Sequence, residues 1–132
     1  MTKMAKILLV DDDPDFVEAT KAVLESKPYQ VITALSGEEG LKKAREEKPD
    51  LVLLDIIMPE VDGFQVCQQL KKDPQLSQIP VIMITSFSER YMETSIGVSQ
   101  GLTLEAEDFV DKPVAPNELL IRVEKWLKSR RQ

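Results

Sequence analysis

The chain contains no histidine and a single cysteine, Cys67, among its 132 residues. The lack of histidine excludes a histidine-dependent catalytic triad, histidine-ligated zinc and a phosphohistidine carrier within this chain. One cysteine excludes an internal disulfide framework and a thiolate zinc cluster, and it is typical of a reducing compartment. We therefore expect a cytoplasmic protein in which Cys67 is a small buried apolar residue.

Long apolar runs and an excess of cations are also missing. Runs such as 81–84 fall far short of the ~20 residues that span a bilayer, and the run at 7–10 is too short for a signal peptide. Lys and Arg number 17 against 23 Asp and Glu, which gives a formal charge of −6. This charge disfavours binding to nucleic acid phosphates. We thus expect neither membrane insertion nor direct nucleic acid binding by this chain.

Short apolar runs alternate with longer amphipathic stretches along the whole sequence. Strands are predicted at 7–10, 31–34, 51–54, 81–84 and 109–110. Strands alternating with helices predict an α/β fold with a parallel sheet covered by helices on both faces. We expect one domain over 1–132, with an ordered core at about 5–128 and with 129–132 as a solvated helix end or the stump of a linker.

Five helices are predicted from capping residues and apolar spacing. Asp13 is a candidate N-cap with Pro14 at the first helical position, and Ser36 with Glu39 forms a capping-box pattern. A third helix carries Phe64, and a fourth begins near residue 88 with an unclear end. The last begins at residue 116, and its apolar side is predicted to be Leu119, Leu120, Val123, Trp126 and Leu127.

Charged and hydroxyl side chains follow the predicted strands where each strand ends. Parallel strands bring these residues to one edge of the sheet, which is where ligands bind in such folds. Acids follow the first and third strands, hydroxyls the fourth and a lysine the fifth: Asp11, Asp12, Asp13, Asp55, Thr85, Ser86 and Lys112.

Gathering several carboxylates at one edge carries an electrostatic cost. Two carboxylates about 4 Å apart repel by roughly 4 kcal/mol at an effective dielectric constant near 20, so three mutual pairs cost on the order of 12 kcal/mol before relaxation. Lys112 offsets about one charge, and a hard divalent cation bound through oxygens offsets more; Mg²⁺ suits a site of few carboxylates plus a phosphate. A carboxylate is also a nucleophile toward phosphorus.

Four segments together resemble the receiver domain of response regulators in two-component signalling. They are ILLVDDD at 7–13, LVLLDIIMP at 51–59, IMITS at 82–86 and FVDKP at 109–113. Each motif alone is modest, but the four in this order cover nearly the whole chain. The resemblance implies a flavodoxin-like, doubly wound (βα)5 fold with a five-stranded parallel sheet in the order 2-1-3-4-5.

The resemblance also implies a role for each residue of the acidic edge. Asp55 would accept a phosphoryl group from a phosphohistidine on a sensor histidine kinase or phosphotransfer protein. Asp11, Asp12, Asp55 and the backbone carbonyl of Ile57 would hold Mg²⁺, with Mn²⁺ as an alternative. Lys112 would pair with the phosphoryl oxygens. The domain would act as a phosphoacceptor that catalyses its own phosphorylation and slow dephosphorylation, not as an enzyme with a separate substrate.

Two further residues are implied to form a switch. Thr85 would bind the phosphoryl group, and Phe109 would move inward with it, although a core aromatic without a switching role is the alternative for Phe109. The face formed by the fourth predicted helix, the fifth strand and the last helix would then control a downstream protein partner or a C-terminal output domain outside this sequence. A phosphorylation-dependent dimer is one further option.

The sequence departs from the family pattern at two places. The 27-residue gap from Thr85 to Lys112 is longer than expected, with the extra residues placed within 96–104, and 105–108 reads EAED where a Gly-Ala pair usually precedes two acids. Apolar Ile57 and Phe87 lie two positions after Asp55 and Thr85. Neither can orient a water, which is our reason for expecting slow dephosphorylation.

Three other functions fit the residues less well. A haloacid-dehalogenase-like phosphatase would use Asp11 as nucleophile, but it needs acidic metal ligands after Lys112, where only Glu118 and Glu124 follow, both on the last helix. A calcium-binding loop from Asp11 lacks the required glycine and glutamate. A receiver-like interaction module without phosphorylation would not need the intact acidic set.

Overall fold

The computed structural model describes residues 4–56, 58, 62–85 and 106–131. Five strands lie in these ranges: β1 (Ala5–Val10), β2 (Tyr29–Ala34), β3 (Leu51–Asp55), β4 (Val81–Thr85) and β5 (Asp108–Asp111). Four helices lie there too: α1 (Pro14–Glu25), α2 (Gly37–Glu47), α3 (Gly63–Lys72) and α4 (Pro116–Arg131). The helix predicted from residue 88 and the 96–104 stretch with the extra residues lie outside the described residues.

The sheet is parallel throughout and has the strand order β2-β1-β3-β4-β5. This confirms the predicted flavodoxin-like α/β topology. The registers of the neighbouring strands align their carboxyl ends, because Val10 pairs with Leu54, and Asp55 pairs with Ile84. The residues that follow these strands therefore share one edge of the sheet.

Alternate residues of the strands supply two separate apolar cores, one on each face of the sheet. On one face, Leu8 and Leu54 pack with residues of α2 and α3. On the other, Leu9 and Leu53 pack with residues of α1 and α4. Because both faces are covered, these strands are apolar at nearly every position instead of alternating with polar residues.

The predicted start of α1 is confirmed. Asp13 is the N-cap, its Oδ1 accepts from the backbone N–H of Asp15 at 3.0 Å, and Pro14 opens the helix. Such a cap satisfies backbone donors that lack a partner within the helix. The cap fixes where the chain turns from the end of β1 into α1.

The start of α2 differs in one bond from the predicted capping box. Ser36 Oγ accepts from Glu39 N at 3.1 Å as expected, but the Glu39 carboxylate accepts from Leu35 N at 2.9 Å instead of Ser36 N. The pKa of Glu39 is lowered, chiefly by that bond to Leu35 N and further by Lys43, against the opposing effect of burial. The bond extends the cap one residue before the helix.

Several elements extend past their apolar runs. Backbone pairing of Ala5 with Tyr29 and of Lys6 with Gln30 lengthens β1 and β2 toward their amino ends. Helix α4 continues to Arg131, beyond the expected limit of the ordered core at residue 128. No helix in the described ranges is long and apolar enough to cross a bilayer.

Candidate functional site

Two adjacent strands bring a pair of buried carboxylates together. Asp11 follows β1 with 0% of its surface exposed, and its N–H donates to Ala34 O at 3.1 Å. Asp55 ends β3 and is 4% exposed. Since β1 and β3 are neighbours in register, the two acids lie side by side at the carboxyl edge of the sheet.

A third carboxylate, from exposed Asp12, completes an acidic cluster. One carboxylate oxygen from each of Asp11, Asp12 and Asp55 lies within 4.8 Å of the other two. Mg²⁺ holds oxygen ligands at 2.0–2.1 Å, so two ligands of one ion are at most about 4.2 Å apart. The 4.8 Å limit on the oxygen separations is close to that span, and hard oxygen donors are the type that Mg²⁺ and Mn²⁺ prefer.

Lys112 supplies the positive charge that meets these acids in the described chain. It follows β5, and the Lys112–Pro113 peptide bond is cis. Its ammonium lies 2.9 Å from Asp11 Oδ2 and 3.7 Å from Asp55 Oδ1. Burial alone would lower the pKa of Lys112, but the close ion pair with Asp11 and the charges of Asp55 and Asp13 outweigh burial and raise it.

The two oxygens of Asp11 have different partners. Oδ1 accepts from Asp13 N at 2.9 Å. Oδ2 is buried and makes the ion pair with Lys112, but no directed hydrogen bond from the described residues reaches it. A carboxylate oxygen has more than one lone pair, so Asp11 Oδ2 retains capacity for a second cation.

Asp13 lies outside this cluster, although it stands next to Asp12 in the sequence. Its Oδ1 accepts from the first backbone N–H groups of α1, at 3.0 Å from Asp15 and 3.4 Å from Phe16. The sequence analysis assigned Asp13 to this capping role, and the structure confirms it.

Two features of the site were missed by the sequence analysis. Gly63 opens α3 against the backbone after Asp55: its N–H donates to Ile56 O at 2.7 Å, and a Cβ there would lie 2.6 Å from Ile56 Cα and overlap Asp55 O. The Phe16 ring centroid lies 4.3 Å from Lys112 Nζ. The available signal for the close approach of Gly63 was a glycine directly after the Asp62 N-cap. No sequence pattern signals the contact between Phe16 and Lys112.

The remaining predicted site residues are placed in part. Thr85 ends β4 and pairs with Asp111, so its backbone lies at the same edge, while its hydroxyl lies outside the described structure. Phe109 lies in β5 with 37% of its surface exposed. Ile57 and Phe87 fall outside the described residues.

Comparison with known sequences decides the family. The sequence profile of the response regulator receiver domain matches residues 7–124. This chain belongs to that family. It is therefore a receiver domain of two-component signalling proteins, as the four sequence segments predicted.

Individual relatives agree with this assignment. The receiver domain is 42% identical over 123 residues to the alkaline phosphatase synthesis transcriptional regulatory protein PhoP of Bacillus subtilis, covering 93% of this chain but 48% of PhoP. It is 44% identical over 117 residues to protein PilH of Pseudomonas aeruginosa, covering 89% of this chain and 93% of PilH. The chain thus spans about half the length of PhoP and nearly all of PilH.

A solved structure supports the same fold. The CheY-like receiver domain protein of Methanospirillum hungatei superposes with a TM-score of 0.87 at 29% identity, covering 98% of both chains. Family and fold together favour a receiver domain over the phosphatase considered from the sequence.

Proposed function

We propose that Asp55 is the phosphoacceptor of this receiver domain and that the phosphoryl donor is a phosphohistidine on a sensor histidine kinase or phosphotransfer protein. The chain has no histidine, so the donor imidazole lies outside this sequence. The observation that carries the proposal is the convergence of buried Asp55 with Asp11, Asp12 and Lys112 at one edge of the sheet.

The transfer exchanges one bond for another at phosphorus. A carboxylate oxygen of Asp55 forms the new O–P bond, the P–N bond breaks, and the imidazole nitrogen takes the electron pair. Such transfers depend mainly on positioning and on neutralising the phosphoryl oxygens. Lys112, already 3.7 Å from Asp55 Oδ1, pairs with those oxygens, and the Thr85 hydroxyl donates a hydrogen bond to them.

A divalent cation completes the charge balance. Asp11, Asp12, Asp55 and the Ile57 carbonyl would hold Mg²⁺ or Mn²⁺, which when bound supplies positive charge to the phosphoryl oxygens. The role of Asp11 in this chain is to present one oxygen to the cation while its other oxygen stays fixed by Asp13 N. Asp11 thereby links the site to the start of α1.

The proposed output is a change at the face formed by β5, α4 and the helix predicted from residue 88. Phosphorylation adds about −1.5 to −2 charge beside Thr85 and Lys112, and an equilibrium shifts only through such differential contacts. Asp108 ties β5 to α4, because its carboxylate binds Arg122 Nη1 at 2.7 Å and Trp126 Nε1 at 2.9 Å. The exposed Phe109 ring therefore rotates inward while its strand stays in place.

The partner that responds to this change is a downstream protein or an output domain. PhoP, about twice the length of the matched region, is named a transcriptional regulatory protein, whereas PilH is hardly longer than this chain. Both arrangements are compatible with the face described above, as is a phosphorylation-dependent dimer. A cytoplasmic location and slow phosphoryl loss, which depends on Ile57 and Phe87, stay predictions.

Mass spectrometry of the intact protein tests the proposal. Incubation with Mg²⁺ and acetyl phosphate is expected to add one phosphoryl group to the wild-type protein. No phosphoryl group should be added when Mg²⁺ is omitted or when the protein carries Asp55→Asn. Asp13→Asn is the matched control, because asparagine is an equally good N-cap and phosphorylation should persist. Phosphorylation of Asp55→Asn to the wild-type extent would contradict the proposal.

A further inference from the structure

The ammonium of Lys112 has an aromatic neighbour that the chemistry above leaves without a role. Lys112 Nζ lies 4.3 Å from the centroid of the Phe16 ring, in addition to its contacts with Asp11 and Asp55. A cation within about 6 Å of a ring centroid is attracted by the negative face of the π system. Two carboxylates and one neutral ring thus hold this lysine.

Hydrogen bonds of the chain fix the backbone that carries this ring relative to the acidic cluster. Asp13 N donates to Asp11 Oδ1 at 2.9 Å, and Asp13 Oδ1 accepts from Phe16 N at 3.4 Å. The ring is partly buried and packs against the core between the sheet, α1 and α4. The cap that starts α1 and the packing of the ring together place Phe16 near Asp11.

A ring and a carboxylate act differently on an ammonium when a phosphoryl group arrives. The carboxylate of Asp11 competes with phosphoryl oxygens for the three N–H donors of Lys112, whereas Asp55 loses its own carboxylate charge when it is phosphorylated. The ring attracts the charge through its quadrupole without requiring an N–H in a fixed direction. It can keep Nζ at the site while the ion pairs of Lys112 pass from carboxylate to phosphoryl oxygens.

We propose that Phe16 is a positioning residue that holds Lys112 over the acidic cluster for binding of the phosphoryl group on Asp55. The inference rests on the proposed function, because Lys112 needs positioning only if a phosphoryl group forms there. It assigns a role in phosphoryl binding to a residue of α1 whose helical spacing alone indicates a core position.

Three measurements on each variant test this role: the rate of phosphorylation by acetyl phosphate, the affinity for fluoroberyllate as a phosphoryl mimic at saturating Mg²⁺, and the affinity for Mg²⁺ alone. In Phe16→Leu, which keeps apolar bulk but loses the π face, the rate and the fluoroberyllate affinity should each fall roughly 3- to 10-fold. Mg²⁺ affinity should stay at the wild-type value, and Phe16→Tyr should restore both lost quantities.

A fluorination series removes any dependence on side-chain shape. Mono-, di- and trifluorophenylalanine at position 16 keep the ring size nearly constant while they progressively weaken the negative face. The logarithm of the fluoroberyllate affinity should fall steadily with each fluorine. This series also serves if Phe16→Leu does not fold.

The outcomes separate this inference from the proposed function. Wild-type affinity in Phe16→Leu or across the fluorinated series would overturn the role of Phe16 while Asp55 is still phosphorylated. An equal loss in the Leu and Tyr variants, or a parallel loss of Mg²⁺ affinity, would also overturn it, because packing and not the π face would then be responsible. Failure of the wild-type protein to gain a phosphoryl group on Asp55 would instead remove the proposed function.

Discussion

Two lysines meet carboxylates at opposite ends of the same sheet. At the amino edge of β4 and β5, Lys71 from α3 binds both oxygens of Glu107 at 3.0 Å and Ile79 O at 3.0 Å, and its side chain is 7% exposed. Glu107 in turn accepts from Val81 N at 2.7 Å. At the carboxyl edge, Lys112 is 24% exposed and meets the carboxylate cluster of the site.

The two ends differ in charge balance. Lys71 has one carboxylate partner and backbone carbonyls, so its charge and its donors are satisfied. Lys112 supplies one positive charge against the three carboxylates of Asp11, Asp12 and Asp55 in the described chain. The amino-edge cluster stabilises the fold, whereas the carboxyl-edge cluster costs folding free energy and retains capacity for a cation and a phosphoryl group.

Removal of Lys71 should give the largest change in stability. Lys71→Met leaves Glu107 and Ile79 O without their buried partner, and we expect the free energy of unfolding to fall by about 2–4 kcal/mol. Urea denaturation measures this value. Lys72→Met is the matched control, because Lys72 is the exposed neighbour on the same helix and should change stability little.

If Lys71→Met and Lys72→Met proved equally stable, the contrast between the two edges would be lost. Phosphorylation of the folded Lys71→Met protein should match that of the wild type, since Lys71 lies at the other edge from Asp55.

Neutralising one acid at the carboxyl edge should raise the free energy of unfolding, whereas removal of Lys71 lowers it. Asp55→Asn removes a buried negative charge that two others repel, so in EDTA the free energy of unfolding should rise by about 1 kcal/mol. Mg²⁺ at 100 times its dissociation constant should stabilise the wild type by about 2.7 kcal/mol, and the variant by less at the same concentration. A matched variant, Asp73→Asn after α3, should show neither effect; a destabilised Asp55→Asn in EDTA would count against the account.

The exposed ion pair between Glu39 and Lys43 should have the smallest effect on stability of the sites compared. Glu39 bonds to Leu35 N and lies 3.2 Å from Lys43, and both side chains are at least a third exposed. The pKa of Glu39 is lower in the folded protein than in the unfolded chain. Ionised Glu39 therefore adds to the free energy of unfolding above the unfolded pKa of about 4.3, and this stabilisation is lost as the pH falls through the pKa of the folded state.

Glu39→Gln should therefore cost about 0.5 kcal/mol at pH 7, and the difference from the wild type should disappear in acid. Thermal melts of the two proteins from pH 7 to pH 3 measure this. A difference that grows on acidification would contradict the assigned sign.

The sequence predicted the parts of the molecule that depend on local pattern. Apolar runs located all five strands because both faces of the sheet are buried, and Asp13 with Pro14 located the start of α1. Strand ends such as Ala5–Lys6 were missed because pairing with β2, not apolar character, makes them extended. Glu39 was assigned to the right cap, but its choice of Leu35 N over Ser36 N depends on geometry that the spacing does not encode.

The convergence of the acids with Lys112 was predicted because these residues follow parallel strands, whereas contacts between polar residues away from the strand ends could not be predicted. Lys71 and Glu107 are 36 positions apart, and neither belongs to a periodic pattern. The EAED stretch before β5 was noted as a departure from the family. The structure gives two of its acids structural roles: Glu107 pairs with Lys71, and Asp108 binds Arg122 and Trp126 of α4. The contact of Phe16 with Lys112 likewise needs the full fold.

Chemical trapping of the phosphorylated residue tests the central claim most directly. After reaction with Mg²⁺ and acetyl phosphate, borohydride reduction converts an aspartyl phosphate to homoserine, and peptide mass spectrometry locates it. The account predicts homoserine at position 55 and unmodified aspartate at positions 11, 12 and 13. Homoserine at one of those three positions, or none anywhere in the chain, would contradict it.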